Sequence, residues 1–332
     1  MSLINQLNAT TEYYWLNTEP VDILNKASAL LWKLMGNALT RDNWTVKPHE
    51  TVDGGRMVKI PLEYANSHSG GYGATTVIDQ TKKDIVDAAR FGWAGIYGSN
   101  TLNLDDLTEN TGSEAIIDLT KIYMQSIIKA ARVQMAIDVI AAAADSTRIN
   151  GLNDLFNISA ADVVGATSVP YGSIAQSEMA DWKANVIEDV EPISFEVMQK
   201  VFRTPDMGDF QGMLPDFIVT TALLRDAYER SLHPQQRYTD TATVQAGWQN
   251  ITHKGAPIVA DSGISAGRLM ALNTLFLNLR SHKDYNFTTP VWLAKTVLGQ
   301  PDVITADTRW RGNLYCSNRK MHVLHTNLTE SA

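Results

Sequence analysis

The sequence has little of what marks secreted, membrane or zinc-binding proteins. Its 332 residues include one cysteine, Cys316, so no internal disulfide can form and no cysteine pair has zinc-ligand spacing. The first residues, MSLINQLNATTEYYW, lack the basic and apolar regions of a signal peptide. No run reaches the roughly 18 apolar residues that suggest a membrane span. These absences predict a soluble protein made in a reducing cytoplasm.

Catalytic signatures are also missing. No GxGxxG, GxxxxGK[ST] or HExxH motif occurs, so the usual phosphate loops and zinc-protease helices are not indicated. Cys316, His322 and His325 could hold a metal only if they faced the same way, and in a strand the two histidines would fall on opposite faces. A nucleophilic Cys316 would need a histidine and an acid nearby in space. We therefore predict no enzyme activity, catalytic residue, metal or cofactor.

Positive charge is the scarcer sign. Lys and Arg total 28 against 36 Asp and Glu, a formal net charge of −8. The longest basic cluster, Arg309, Arg311, Arg319 and Lys320, is interrupted by polar residues and is interpreted as a solvated strand face. Sequence-specific nucleic-acid binding usually needs a basic stripe, so it is not expected. Hydrophobic residues make up 44% of the chain, enough for a sizeable core.

A long hairpin is predicted in the first third of the chain. Apolar residues alternate from Val58 to Tyr64, which indicates a half-buried strand, and Pro61 places that strand at an edge. A second strand is predicted over 84–97, with Phe91, Trp93 and Tyr97 on one face. An isolated hairpin is marginally stable in water, so this one needs a neighbour. The polar tip between the strands offers the candidate assembly residues Gly70, Gly71, Tyr72, Gly73 and Val77.

Residues 114–144 carry the strongest helical signal, without an interrupting Gly or Pro. Ser113 is a suitable N-cap, and a continuous helix of this length would extend about 45 Å. An apolar stripe recurs at helical spacing and predicts the buried face. Its members are Ile116, Leu119, Tyr123, Ile127, Met135 and Val139.

The remainder mixes helices and strands, which gives an α+β fold class. A helix is also expected within 21–39. After Ser194 the pattern predicts helices over 195–203 and 222–232, the second with Leu223, Leu224, Ala227 and Tyr228 inward, and strands over 215–221 and 256–260. Segments 268–273 and 275–280 are interpreted as a hairpin. Strands dominate from 291 to 327.

Several segments, in this order, resemble the major capsid proteins of tailed phages, the Hong Kong 97 type. GRMVKIPLEY and IVDAARFGWAGIYGS resemble the two strands of the E-loop in that family. EAIIDLTKIYMQSIIKAARVQMAIDVIAAAA followed by NGLNDL resembles its spine helix and exit segment. PDFIVTTALLRDAYERSL and GWQNITHKGAPIVAD resemble its axial domain, and PDVITADTRWRGNLYCSNRKMHVLHTNL resembles its last peripheral strands. The resemblance covers roughly residues 50–330.

The resemblance implies a domain map: an N-terminal arm (1–50), the E-loop hairpin (51–112), a peripheral domain with the spine helix (113–146), an axial domain (147–285) and returning peripheral strands (286–332). It implies self-assembly into pentamers and hexamers of an icosahedral head around double-stranded DNA, held without sequence specificity. Scaffolding, portal and decoration proteins are candidate partners, and no membrane is involved. The location would be the virion, after assembly in the host cytoplasm.

Two other functions stay open from the sequence. An encapsulin-like compartment shares this fold and would hold cargo enzymes in place of DNA. A cytosolic α/β enzyme would instead need a discrete pocket with converging polar groups. Covalent cross-linking, known in some family members, is not carried over, because Lys82, Lys83, Asn313 and Asn318 cannot be matched to the linking pair.

Overall fold

The computed structural model describes residues 28–35, 49–75, 77–103, 119–143, 145–159, 164, 170–175, 179, 182–205, 214–232, 251–288, 293–294 and 303–330. Two compact units form. The described residues of the smaller unit lie within Tyr97–Ala131 and Thr289–Thr308. The larger unit draws on Ala27–Ile96, Arg132–Thr288 and Arg309–Ala332.

Helices and strands alternate irregularly along the chain, as expected for an α+β protein. The helices are α1 (Ala29–Met35), α2 (Leu119–Ile140), α3 (Leu152–Leu155), α4 (Phe195–Arg203) and α5 (Ala222–Ser231), with a 3-10 turn at Arg319–Met321. The strands are β1 (His49–Val52), β2 (Val58–Glu63), β3 (Val86–Phe91), β4 (Ala94–Asn103), β5 (Asn185–Ile187), β6 (Glu191–Pro192), β7 (Phe217–Thr220), β8 (Ile251–His253), β9 (Ala256–Ala260), β10 (Leu269–Leu272), β11 (Leu277–Asn286), β12 (Leu293–Ala294), β13 (Val303–Cys316), β14 (Val323–His325) and β15 (Leu328–Thr329).

A six-stranded mixed sheet, in the order β5-β14-β10-β7-β9-β8, forms the core of the larger unit. Strands β7 and β9 run parallel, whereas β10 is antiparallel to both β7 and β14. The β8–β9 hairpin turns through Lys254 and Gly255, both at positive φ, as a two-residue hairpin turn requires. Helices α4 and α5 contribute buried side chains to the same core as this sheet, and Ser194 and Thr221 cap their first turns.

A second sheet has the order β1-β11-β13-β12, and β4 also pairs with β13. Strand β1 is parallel to β11, and β11 is antiparallel to β13. The β11–β13 register is regular from Leu277 to Ser281 and then shifts before Asn286 pairs with Trp310. Two further sheets among the described residues are pairs, β6 with β15 and β2 with β3.

The long helix ends earlier than predicted. Its described part, α2, has 22 residues, about 33 Å at 1.5 Å per residue. It ends at Ile140 instead of 144, and the chain then turns so that the Ala143 amide donates to Asp154 Oδ2 at 2.9 Å. Its predicted beginning, with Ser113 and Ile116, lies outside the described residues.

Three local predictions are wrong. The segments interpreted as one hairpin, β10 and β11, belong to different sheets. Of the four residues predicted inward on α5, Leu224, Ala227 and Tyr228 are buried as predicted, whereas Leu223 is 61% exposed. The basic cluster is not one solvated face, since Arg309 and Arg311 are exposed whereas Arg319 is buried. The described part of the N-terminal helix is α1, and residues 21–27 and 36–39 lie outside the described residues.

Candidate assembly surface

The predicted hairpin consists of β2 and β3 in antiparallel register, from Val58 opposite Phe91 to Glu63 opposite Val86. The Tyr64 amide donates to the Ile85 carbonyl at 3.1 Å, and the Arg90 amide points the other way, to the Gly172 carbonyl at 2.7 Å. Since hydrogen-bonded pairs alternate in an antiparallel ladder, Pro61 stands at a position whose backbone faces away from β3. Its missing amide therefore costs no bond within the hairpin, which agrees with the edge position predicted from Pro61.

The root of the hairpin is anchored by aromatic packing. Phe91 is buried and meets Tyr171 edge to face, with ring centroids 5.1 Å apart, and Tyr315 lies 6.1 Å away. Gly172 has a φ of +63°, and a Cβ there would lie 2.9 Å from Ala89 Cβ and 3.0 Å from Phe91 Cζ. The turn at 171–174 therefore approaches β3 as closely as a glycine permits, and fixes it.

Tyr171 in turn packs against Arg319, which is buried. The guanidinium carbon of Arg319 lies 4.7 Å from the Tyr171 ring centroid, a favourable cation–π distance. The same group donates to the Trp182 carbonyl at 2.8 Å and to Asn157 Oδ1 at 2.9 Å, and Nε donates to the Leu155 carbonyl at 3.0 Å. Burial lowers the pKa of Arg319. Because the planar guanidinium bonds to several loops at once, it fixes the residues against which the root of the hairpin packs.

The tip, residues 64–85, is organised by local polar contacts. The Thr81 amide and hydroxyl donate to Asp79 Oδ1 at 3.0 and 2.7 Å, and these bonds lower the pKa of Asp79. His68 Nδ1 lies 3.3 Å from Asp79 Oδ2, and Lys83 Nζ donates to the Asn66 carbonyl at 2.9 Å. These groups are exposed, so each contact adds little stability. They shape the tip without burying it.

Apolar side chains on this tip are left in solvent. Tyr72 is 83% exposed, Val77 is 93% exposed and Ile78 is 63% exposed. A Cβ at Gly70 or Gly71 would meet nothing within 4 Å. The candidate residues Gly70, Gly71, Tyr72, Gly73 and Val77 thus all lie on the exposed tip, and Ile78 joins them although it was not predicted.

The second predicted strand of the hairpin is in fact two strands. Strand β3 ends at Phe91, and β4 begins at Ala94. Trp93 lies between them and its indole N–H donates to the Gly55 carbonyl at 2.7 Å. Tyr97 is exposed, whereas Phe91 is buried. The prediction that Phe91, Trp93 and Tyr97 share a face is therefore wrong.

The predicted stripe of the long helix is divided between the two units. Ile127 is buried in the smaller unit, where the close approach of Gly98 leaves no room for a Cβ beside the Ile127 carbonyl. Met135 and Val139 are buried in the larger unit. Tyr123 is half-buried. Leu119 is the first described residue of the helix, and its side chain and Ile116 lie outside the described residues.

Cys316 and His322, considered as chemistry from the sequence, do come together. His322 Nε2 lies 3.2 Å from Cys316 Sγ, while Nδ1 accepts from the Asn273 amide at 3.2 Å. A neutral ring that accepts at Nδ1 carries its proton on Nε2, so the histidine donates to the sulfur. Burial raises the pKa of Cys316 to about 12 and lowers that of His322 to about 3. This pair is poorly suited to form a thiolate nucleophile.

His325 and Asn313, considered above as a metal ligand and a cross-linking residue, contact other groups. His325 Nε2 lies 2.8 Å from Glu191 Oε1, away from Cys316. Asn313 is buried, and its amide group donates to the Gly92 carbonyl and to Asn150 Oδ1 at 2.9 and 2.8 Å. Within the described part of the chain, no group of three or more His, Cys, Asp or Glu side chains could hold a metal ion. Nor does that part include a helix long and apolar enough to cross a membrane.

Comparison with known proteins places the fold. No protein-family model matches the sequence, and no curated protein matches it. Among solved structures, the capsid of cyanophage A-1(L) superposes with a TM-score of 0.69 at 14% identity, covering 97% of this chain and 99% of the other. The capsid of a native GTA particle gives 0.64 at 10% identity, covering 98% of each chain. The holo-SrpI encapsulin of Synechococcus elongatus PCC 7942 gives 0.59 at 8% identity, covering 100% and 97%.

These likenesses extend over nearly the whole chain. The chain therefore has the α+β fold of tailed-phage major capsid proteins, the Hong Kong 97 type. The fold predicted from the order of sequence segments is confirmed.

Proposed function

We propose that this chain is a structural shell protein, the major capsid subunit of a tailed phage, whose copies assemble into an icosahedral head around double-stranded DNA. The observation that carries the proposal is the hairpin. Its root is fixed by Phe91, Tyr171 and Arg319, whereas Tyr72 and Val77 at its tip are exposed. An ordered root with an uncovered apolar tip suits an element that lies on another subunit.

The tip would bury its apolar side chains on a neighbouring copy, on the spine region that includes helix α2. Stable protein interfaces bury about 1,200–2,000 Å², more than a tip alone supplies, so the N-terminal arm and the axial domains would contribute further contacts. For this mechanism we propose an N-terminal arm at 1–50, the E-loop at 51–112, a peripheral domain at 113–146 and 286–332, and an axial domain at 147–285. Glycines such as Gly70 and Gly71 would let identical tips adapt to slightly different surroundings.

A shell subunit needs no catalysis, and the buried Cys316–His322 pair fits a structural role better than an enzymatic one. DNA would be enclosed without sequence specificity, for which an acidic chain is adequate because gripping phosphates demands clustered cations. Scaffolding, portal and decoration proteins are the further partners we propose. The location would be the virion capsid, after assembly in the host cytoplasm.

An encapsulin-like compartment is the second candidate, and the fold likeness to the Synechococcus elongatus encapsulin favours it. The two candidates differ in content. Native particles of a phage head hold nuclease-protected DNA, whereas an encapsulin holds co-purifying protein. Nucleic-acid and protein analysis of intact native particles after nuclease treatment separates them.

Self-association is the first test. Light scattering on the purified chain should detect pentamers, hexamers or shells, and negative-stain electron microscopy should show closed particles. A strictly monomeric protein over a wide range of concentration and salt would contradict the proposal.

A further inference from the structure

Strand β11 carries an interruption that creates an exposed surface far from the hairpin tip in sequence. The register with β13 shifts between Ser281, which pairs with Gly312, and Asn286, which pairs with Trp310, so residues 282–285 stand opposite the single residue Arg311. Extra residues in one strand of a pair bend it and redirect its side chains. We name the group Asp53, Lys283, Asp284, Tyr285 and Arg311 the bulge surface.

The arginine of the bulge surface, Arg311, packs against an aromatic ring. The Arg311 guanidinium carbon lies 5.9 Å from the Tyr285 ring centroid, and Arg311 is exposed. Tyr285 in turn meets His282, with ring centroids 5.4 Å apart. A guanidinium resting on an aromatic ring loses less conformational freedom when it binds a partner. Arg and Tyr are also enriched among the residues that dominate protein interfaces.

The remaining charged groups of the bulge surface, Asp284, Lys283 and Asp53, are exposed to solvent. The Asp284 carboxylate is 77% exposed, and its one ion pair among the described residues is with His282 at 4.0 Å. Lys283, 69% exposed, lies 3.6 Å from the more exposed Asp53. Exposed pairs at such distances contribute little within one molecule. The surface thus presents both signs, and the ion pairs of its carboxylates with described residues are long and exposed.

We propose that the bulge surface docks onto the same surface of a second copy across a two-fold axis, with Arg311 of each copy facing Asp284 of the other. The proposal rests on the proposed shell function, since an icosahedral shell contains two-fold axes. A surface that carries both signs is complementary to itself when rotated, because every Arg-to-Asp contact then occurs twice. Two tyrosine-supported arginines would form the centre of the contact, with Lys283 and Asp53 at its rim.

Nucleic acid is the less favoured occupant. A polyanion would meet Arg311 and Lys283 but would be repelled by the exposed carboxylates of Asp284 and Asp53. The neighbouring Arg309 is also exposed, so DNA binding is included as an outcome of the test. A second copy, by contrast, uses both signs.

Charge exchange tests the contact directly. Arg311→Glu and Asp284→Arg should each lower the yield of shells at least tenfold, because each places like charges together twice. The double variant Arg311→Glu/Asp284→Arg should recover most of the yield. A matched control is Glu188→Arg, an exposed position outside both the bulge surface and the hairpin tip, which measures what a carboxylate-to-arginine change does elsewhere. Thermal melting confirms that each variant folds, and the milder series Arg311→Gln and Asp284→Asn is used for any that does not.

Each result decides the proposal. Normal shells from both single variants, or single defects that the double variant does not repair, would overturn it. So would duplex DNA binding by the unassembled wild-type chain that Arg311→Glu abolishes while shells still form. If the wild-type chain never self-associates, the shell function itself fails, and that outcome is distinguishable because it precedes any variant.

Discussion

Phe91 and Tyr171 meet edge to face, with ring planes at 70° and centroids 5.1 Å apart. The contact joins the last residue of a hairpin strand to a turn 80 positions further along, and the Arg319 guanidinium carbon lies 4.7 Å from the centroid of the same tyrosine ring. Edge-to-face aromatic pairs add about 0.5–1.5 kcal/mol beyond the apolar area they bury. Mutations at the packed root should therefore change the free energy of unfolding, whereas mutations at the exposed tip should leave it nearly unchanged.

Gly172→Ala should destabilise the protein. Its φ of +63° costs an alanine about 1–2 kcal/mol, and the added methyl would press on Ala89 and Phe91. Denaturant unfolding should register a loss in the free energy of unfolding of at least that size. The control Gly70→Ala, where a Cβ meets nothing within 4 Å, should be close to neutral. Equal effects of the two changes would mean that the root is not closely packed.

Met135→Asp should prevent folding, because it buries an unpaired carboxylate at a cost of several kcal/mol. Helix α2 offers a matched control two residues away: Ile137 is exposed, so Ile137→Asp should give soluble protein with a normal melting temperature. Soluble yield and circular dichroism measure both. Normal folding of Met135→Asp would mean that this face of the helix is not buried.

The sequence predicts those elements whose signal is local. Alternation from Val58 to Leu62 and Pro61 at the edge are enough to place β2. The tip is predictable because glycines and polar residues have no competing pattern, and the burial of Met135 and Val139 follows from helical spacing.

The features that the sequence did not predict depend on contacts between residues far apart in the chain. Asn273 and Thr274 separate β10 from β11 because they bond to Leu214, Asp216 and His322, which no local pattern reveals. The root of the hairpin was missed for the same reason: Ser173 and Arg90 are 83 positions apart. The triplet Tyr171-Gly172-Ser173 could have indicated a turn, but not what that turn holds.

Cys316 should resist thiol reagents in the folded protein. It is fully buried and its pKa is raised to about 12, so at pH 8 almost no thiolate forms and reagent cannot reach it. Ellman's reagent should react with no thiol in native protein and with one per chain in denaturant. Rapid stoichiometric reaction under native conditions would contradict the burial of the Cys316–His322 pair.

The central claim is that the hairpin tip serves assembly and not folding. Its most direct test is electron microscopy of the triple variant Tyr72→Ser/Val77→Ser/Ile78→Ser, with thermal melting beside it. Because these side chains are exposed, each change should alter the free energy of unfolding by no more than about 0.5 kcal/mol.

The matched control is Ser67→Ala/Ser69→Ala/Gln80→Ala, three exposed polar positions on the same tip. We predict that the serine variant melts like the wild type but forms no shells, while the control assembles normally. Normal shells from the serine variant would contradict the account, and so would a serine variant that fails to fold.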